Sequence, residues 1–130
     1  MQVLFVEDDV MNRRVVRDML AVAGLDMAEA ADGEIGLAML DEQHFDLILM
    51  DLRMPRLDGL DAIRAIRKRK DAVARVPIIV VTADAALDIQ ERCLAAGADG
   101  CLRKPVAMNL LFDAISRVLA GSETSAALLA

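Results

Sequence analysis

The stretch "DLILMDLRMP", Asp46 to Pro55, decides the fold. Its first half is continuously apolar rather than alternating, the pattern of a central strand of a parallel sheet covered on both faces. The run stops on a carboxylate, Asp51, followed by Arg53 two residues on and Pro55 four residues on. A second run of the same kind, "PIIVVT" (77 to 82), ends on a hydroxyl, Thr82. Outward from this pair, "QVLFV" (2 to 6), "DMAEA" (26 to 30) and "GCLRK" (100 to 104) read as three further strands. Segments of helical period separate the five. That alternation predicts an α/β domain with a parallel sheet and helices on both faces.

The helices are placed by their apolar stripes and their glycines. The first carries Met11, Val15, Val16, Met19, Leu20 and Ala23 before Gly24. The second spans about 33 to 41 with Ile35, Ala38 and Met39 inward, and the third about 59 to 70. The fourth spans about 85 to 96 before Gly97; the last spans about 107 to 120, with Leu111, Ile115, Val118 and Leu119 at core spacing and Gly121 as its stop. "GSETSAALLA" (121 to 130) then reads as a C-terminal tail or the start of a linker, leaving residues 1–120 as one domain.

The chain has 130 residues, which suits a single domain, and 56% of them are apolar, yet no apolar run approaches the roughly 20 residues of a membrane span. The start, "MQVLFVEDD", lacks a basic n-region and is not a secretory signal. Cys93 and Cys101 fit neither a disulfide framework nor a CxxC metal site, so a reducing compartment and a cytoplasmic location are expected. A net charge of -6 argues against direct nucleic-acid binding. The basic run "RAIRKRK" (64 to 70) is explained by cations favouring the end of a helix. His44, the only histidine, sits beside Phe45 at an expected turn and is read as a surface residue.

Ligands of open parallel sheets bind beyond the carboxyl ends of the strands. Here those positions hold Glu7, Asp8 and Asp9, then Asp51, then Thr82, then Lys104 and Pro105. Each alone is the kind of residue that marks a strand's exit into solvent. Together they crowd like charges, and two carboxylates a few Å apart repel by about 4 kcal/mol at an effective dielectric near 20. A hard cation coordinated by oxygen, such as Mg2+, is therefore expected among them. One divalent ion plus the Lys104 ammonium would balance Glu7, Asp8 and Asp51.

Over about residues 2 to 120 the chain resembles the receiver domains of bacterial two-component response regulators, including those of hybrid histidine kinases. The motifs that carry the likeness are "VEDD" (6 to 9), "MDLRMPRLDG" (50 to 59), "VTA" (81 to 83) and "KP" (104 to 105), in this order and spacing. The resemblance implies a flavodoxin-like, doubly wound five-stranded sheet in the order 2-1-3-4-5. It implies that Asp51 accepts a phosphoryl group from a phosphohistidine on a histidine kinase or histidine phosphotransfer protein. Asp8 would bind Mg2+ directly and Glu7 through water, with Asp51 and the backbone carbonyl of Arg53 completing the protein ligands. Lys104, Thr82 and the adjoining Ala83 would meet the phosphoryl oxygens, and the peptide before Pro105 would be cis. Output would go to a downstream protein or onward in a relay, with no turnover chemistry beyond the domain's own phosphorylation and dephosphorylation.

Some positions depart from the family or vary within it. Cys101 stands where the family usually has a switch aromatic, so either the switch works through Thr82 and the following loop alone, or Cys101 simply packs. Arg53 and Asp84 flank the expected phosphoryl group with opposite charges, and either pair across its mouth to slow hydrolysis or stay solvated. Val10, Met11, Asn12 and Val15 form the start of the first helix, where the family docks its phosphodonor; Met11 and Val15 equally suit a core. Asp9 is read as lining the mouth, not as a ligand. A haloacid dehalogenase would need a second Asp where Arg53 stands, and a flavin protein a Ser/Thr/Gly-rich loop after the first strand. A pseudo-receiver that docks without being phosphorylated is the remaining alternative.

Overall fold

The computed structural model describes residues 1–129, with side chains through Gly121. In chain order the elements are β1 (Gln2–Val6), α1 (Val10–Val22), β2 (Asp26–Ala30), α2 (Gly33–Glu42), β3 (Leu47–Met50), α3 (Gly59–Arg67), a 3-10 turn (Ala72–Arg75), β4 (Ile78–Thr82), α4 (Ile89–Ala96), β5 (Gly100–Arg103) and α5 (Met108–Leu129). The five strands form one sheet in the order β2-β1-β3-β4-β5, every pairing parallel. The doubly wound α/β architecture and its strand order are those expected.

The strands sort their side chains by period 2 into two cores. Leu4, Val6, Ile48, Met50, Ile78 and Val80 face α2, α3 and α4. Val3, Phe5, Leu47, Leu49, Ile79 and Val81 face α1 and α5. Every residue of β3 and β4 is buried, which is why those two runs are apolar throughout.

Four helical readings are corrected, besides that of α3, which ends at Arg67 rather than near Lys70. Of the α1 stripe, Val16 and Leu20 are buried and Met19 half-buried, whereas Met11, Val15 and Ala23 are exposed. The helix packs through Val16, Met19 and Leu20, which leaves Met11 and Val15 turned away from that face, and Ala23 lies past its last residue as the C-cap. In α2 the buried residues are Gly33, Gly36 and Leu40, while Ile35 and Ala38 point outward and Met39 is half-buried. A Cβ on Gly36 would lie 2.9 Å from a Val6 methyl, so α2 packs through a glycine where hydropathy favours a larger residue. The third correction concerns α4, which begins at Ile89 rather than near Ala85. The side chains of Thr82 and Asp84 accept from the backbone N–H of Asp84 and Ala86, capturing donors a helix would use. Finally, α5 continues through Gly121 to Leu129 instead of stopping at Ala120. One glycine costs a helix about 1 kcal/mol, and the alanines and leucines that follow are strong helix formers. Of the segment read as a tail, residue 130 lies outside the described residues.

Candidate functional site

Strand register builds the site. Val6 pairs with Met50, and Met50 with Val80, so the residues that follow these strands emerge side by side. Backbone bonds continue the alignment: Asp51 N donates to Val6 O at 3.0 Å, Glu7 N to Ala30 O at 2.9 Å and Lys104 N to Thr82 O at 2.8 Å. Three sequence-distant residues are thereby fixed on the carboxyl edge by main-chain geometry alone.

Glu7, Asp8 and Asp51 each offer a carboxylate oxygen, and these atoms lie within 4.8 Å of one another. Glu7 is fully buried and Asp51 nearly so, at 4% exposure, while Asp8 opens to solvent. Lys104 reaches both buried carboxylates, with Nζ 2.5 Å from Glu7 Oε1 and 3.4 Å from Asp51 Oδ1. Burial holds the Glu7 carboxyl above its usual range, its contact with Asp51 adds to that, and Lys104 opposes it. For Lys104, burial works against the charge but is outweighed by Glu7 and Asp51, and the ammonium titrates above its ordinary value.

One ammonium cannot satisfy three carboxylates. Among the described residues Glu7 Oε2 is buried without any hydrogen-bond partner, an arrangement that costs free energy unless a donor or cation occupies the space beside it. Oxygen-only donors, one of them open to water, fit a hard divalent ion that keeps part of its hydration shell.

The rest of the rim is set by local structure. Asp58 caps α3 by accepting from Asp61 N at 2.9 Å, and a Cβ on Gly59 would stand 2.2 Å from the Asp51 carbonyl oxygen. Glycine there lets α3 start directly against the backbone of Asp51. Thr82 is buried at 1% exposure, and its Oγ accepts from Asp84 N at 3.0 Å. Arg53 Nη2 donates to Asp84 Oδ2 at 3.1 Å, so the two flanking charges do pair. The Ala86 N–H and then Arg53 hold the Asp84 carboxyl below its usual value. A cleft of about 500 Å³ opens beside Asp8 and runs past Arg53, Met54, Leu60 and Arg92. Lys104–Pro105 is a cis peptide, and Ala83 is exposed next to Thr82.

Away from this cluster, Val10 and Met11 are each 64% exposed and Val15 45%, with Asn12 half-buried beside them. Cys101 is half-buried against the core that contains Cys93, and both thiols are free. His44 is exposed and pairs with Asp46 at 3.0 Å. The three arginines of the basic run are paired: Arg64 with Asp61, Arg67 with Asp99, and Arg69 with Asp41 and Asp71.

The roles of two supporting residues escaped the sequence reading. Asp9, read as lining the mouth, caps α1, its Oδ1 accepting from Met11 N at 2.7 Å; an Asp directly before a helical period was the available signal. Arg13 Nη1 donates to the Glu7 carbonyl at 2.7 Å and so fixes the acidic loop from below. That contact spans a turn whose geometry no local pattern reveals.

The response regulator receiver domain model matches residues 3–116. The sensor histidine kinase RcsC of Escherichia coli K12 is 37% identical over 111 residues, covering 85% of this chain and 11% of that protein. AruS, a sensor histidine kinase of Pseudomonas aeruginosa, is 37% identical over 119 residues, 91% of this chain and 12% of its own length. The chain thus spans only a small part of these kinases. Among solved structures, the receiver domain of a Pseudomonas aeruginosa sensor histidine kinase has a TM-score of 0.83 at 38% identity, covering 92% of this chain and 97% of that one; it holds a magnesium ion in its active-site cleft. The Vibrio cholerae chemotaxis protein CheY4 also has a TM-score of 0.83, at 32% identity, covering 90% of this chain and 97% of its own.

Proposed function

The chain belongs to the response regulator receiver domain family, and from that premise we propose that Asp51 accepts a phosphoryl group from a phosphohistidine in a Mg2+-dependent step. The observation that carries this is the close set of Glu7, Asp8 and Asp51 with a buried Glu7 oxygen left without a partner. Asp8 and Asp51 would hold the ion, with Glu7 through water and the Arg53 carbonyl as further ligands. Bound Mg2+ supplies positive charge to the phosphoryl oxygens and offsets the repulsion among the carboxylates.

Asp51 is positioned for one task. Its carboxylate oxygen forms an O–P bond as the P–N bond to the donor imidazole breaks; the electron pair leaves with the nitrogen, which takes up a proton. Lys104 neutralises the phosphoryl oxygens from the β5 side. Thr82 gives up its bond from Asp84 N and turns its hydroxyl toward them, next to Ala83. The donor is a histidine kinase or histidine phosphotransfer protein seated against Val10, Met11, Asn12 and Val15; the exposure of Val10, Met11 and Val15 on α1 supports that role. Arg53 and Asp84 bridge the mouth and hinder attacking water. Cys101 leaves the switch to Thr82 and the loop after it.

The domain comprises residues 1–120, with the rest of α5 continuing from it as the start of a linker; it acts in the cytoplasm and signals to a partner protein. Among the described residues no helix is long and apolar enough to cross a membrane. The test is incubation with Mg2+ and acetyl phosphate, or with a panel of phosphorylated kinases. A mass gain of one phosphoryl group is expected, absent in Asp51→Asn. No gain from any donor would leave the docking-module alternative standing.

A further inference from the structure

We propose that Arg67 and Asp99 form a fixed pivot for α4, so that a rearrangement begun at Thr82 moves the amino end of α4 and stops before its carboxyl end. The inference rests on the reading of Asp51 as phosphoacceptor.

The far end of α4 is held by one guanidinium. Arg67 Nε donates to Gly97 O at 2.8 Å, Nη1 to Ala74 O at 2.9 Å and Val76 O at 2.7 Å, and Nη2 to Asp99 Oδ2 at 2.9 Å. The same Asp99 oxygen accepts from Ile78 N at 2.9 Å. Five segments meet there: the end of α3, the 3-10 turn, the cap of α4, the entry to β5 and the start of β4. Gly97 closes α4 at φ 117°, and a Cβ on it would lie 2.6 Å from Arg67 Cγ, so side chain and helix end are in tight contact. The guanidinium's planar fork suits several acceptors at fixed angles, which a lysine ammonium does not reproduce.

The near end is held differently. Asp88 precedes α4 without a side-chain capping bond, and Leu87 is fully exposed. Ile89 N donates to Ala86 O at 3.2 Å and Ile89 is buried, but the loop that leads into it is tied by Asp84 N to Thr82 Oγ, Ala86 N to Asp84 Oδ1 and Arg53 to Asp84. The bond from Asp84 N is the one that Thr82 surrenders when its hydroxyl turns toward a phosphoryl group. The helix is thus a lever of eight residues, about 12 Å long at 1.5 Å per residue, with an exchangeable attachment by the site and a rigid one opposite. No aromatic side chain is available to move in its place, since Phe5 and Phe45 are buried, Phe112 on α5 is half-buried against the core shared with α1, and Cys101 holds the β5 position.

Amide hydrogen exchange on the full chain, with Mg2+ and with or without beryllofluoride, tests the pivot. In the wild type, beryllofluoride should change exchange over residues 83–90 and leave 94–100 within twofold. In Arg67→Lys and Asp99→Asn the change should extend to 94–100, by tenfold or more. Asp99→Asn leaves the three carbonyl bonds of Arg67 in place and carries the comparison should Arg67→Lys not fold. A purely structural clamp would loosen both states equally without altering where beryllofluoride acts. Equal wild-type changes at both ends, or variants that keep the change confined, overturn the pivot while phosphorylation of Asp51 stands. No response and no mass gain from any donor overturn the phosphoacceptor reading and the pivot with it.

Discussion

The two edges of the sheet carry the same residue types and treat them in opposite ways. At the amino edge every aspartate considered is tied down: Asp46 accepts from Gln2 N at 2.8 Å, Asp26 from Gln2 Nε2 at 3.2 Å, and Asp99 from both Ile78 N and Arg67. At the carboxyl edge Glu7 keeps an oxygen without a partner, Asp8 points to solvent, and one lysine serves Glu7 and Asp51 together. Acids at the first edge each accept from at least one nearby donor, which helps to stabilise the fold. Those at the second are left short of positive charge, which costs stability and creates a demand for ligands. The difference is a matter of bonding partners, not of residue type or of position beside a strand.

The largest expected effect on ligand binding comes from removing one of those acids. On the proposed reading, Glu7→Gln weakens Mg2+ binding tenfold or more, the range typical when an outer-sphere partner is lost. The stabilisation that saturating Mg2+ gives, followed by thermal unfolding across a magnesium titration, should then shrink by about 1.4 kcal/mol or more at a given concentration. Unchanged Mg2+ dependence would mean that the carboxyl edge is as self-sufficient as the amino edge. The reciprocal test is Asp99→Ala, which strands the Ile78 N–H and one side of Arg67. It should cost about 2 kcal/mol in urea unfolding and leave the mass gain at Asp51 intact. A variant that folds normally but cannot be phosphorylated would break the separation between the two edges.

This contrast also marks how far the sequence could be read. Fully buried parallel strands announce themselves, so "LILM" and "IIVVT" read directly as strands, and the acids and lysine beyond the strand ends are residues that the fold does bring together. Hydropathy failed where packing depends on small residues. The buried face of α2 is set by Gly33 and Gly36, whose value lies in close approach to Leu57 and Val6, and an apolar period cannot register that. The late start of α4 was hidden because Thr82 and Asp84 compete for the backbone donors. Arg67 was lost in a basic run that reads as helix-dipole decoration, because its acceptors, Ala74, Val76 and Gly97, are carbonyls brought together only by the fold. Donor–acceptor pairs between distant segments leave no trace in spacing.

A smaller effect is expected at the mouth of the site. Arg53 is 79% exposed in its pair with Asp84, and such pairs are worth about 0 to 1 kcal/mol. Arg53→Ala should therefore shorten the lifetime of the aspartyl phosphate by no more than about fivefold, read as phosphate release from phosphorylated protein. An unaltered lifetime would count against a gating role.

The smallest effect belongs to the amino edge and is one of sign. The Gln2 N–H, and after it His44, hold the Asp46 carboxyl below its ordinary value of 3.8. The folded state thus releases this proton more readily than the unfolded state. The contribution is present in full above the ordinary value and is lost as pH falls through the lower, folded one. Asp46→Ala should lower stability near neutral pH and flatten its decline in acid, so that the two proteins converge at the most acidic pH where both still fold. Because Asp46 is 39% exposed, solvent screens much of the interaction. The convergence of the curves, rather than the size of the gap between them, is therefore the measurement that decides. Curves that stay parallel down to the acid limit would mean that the Asp46 carboxylate contributes through packing alone, and that the amino edge is not stabilised by paired charge.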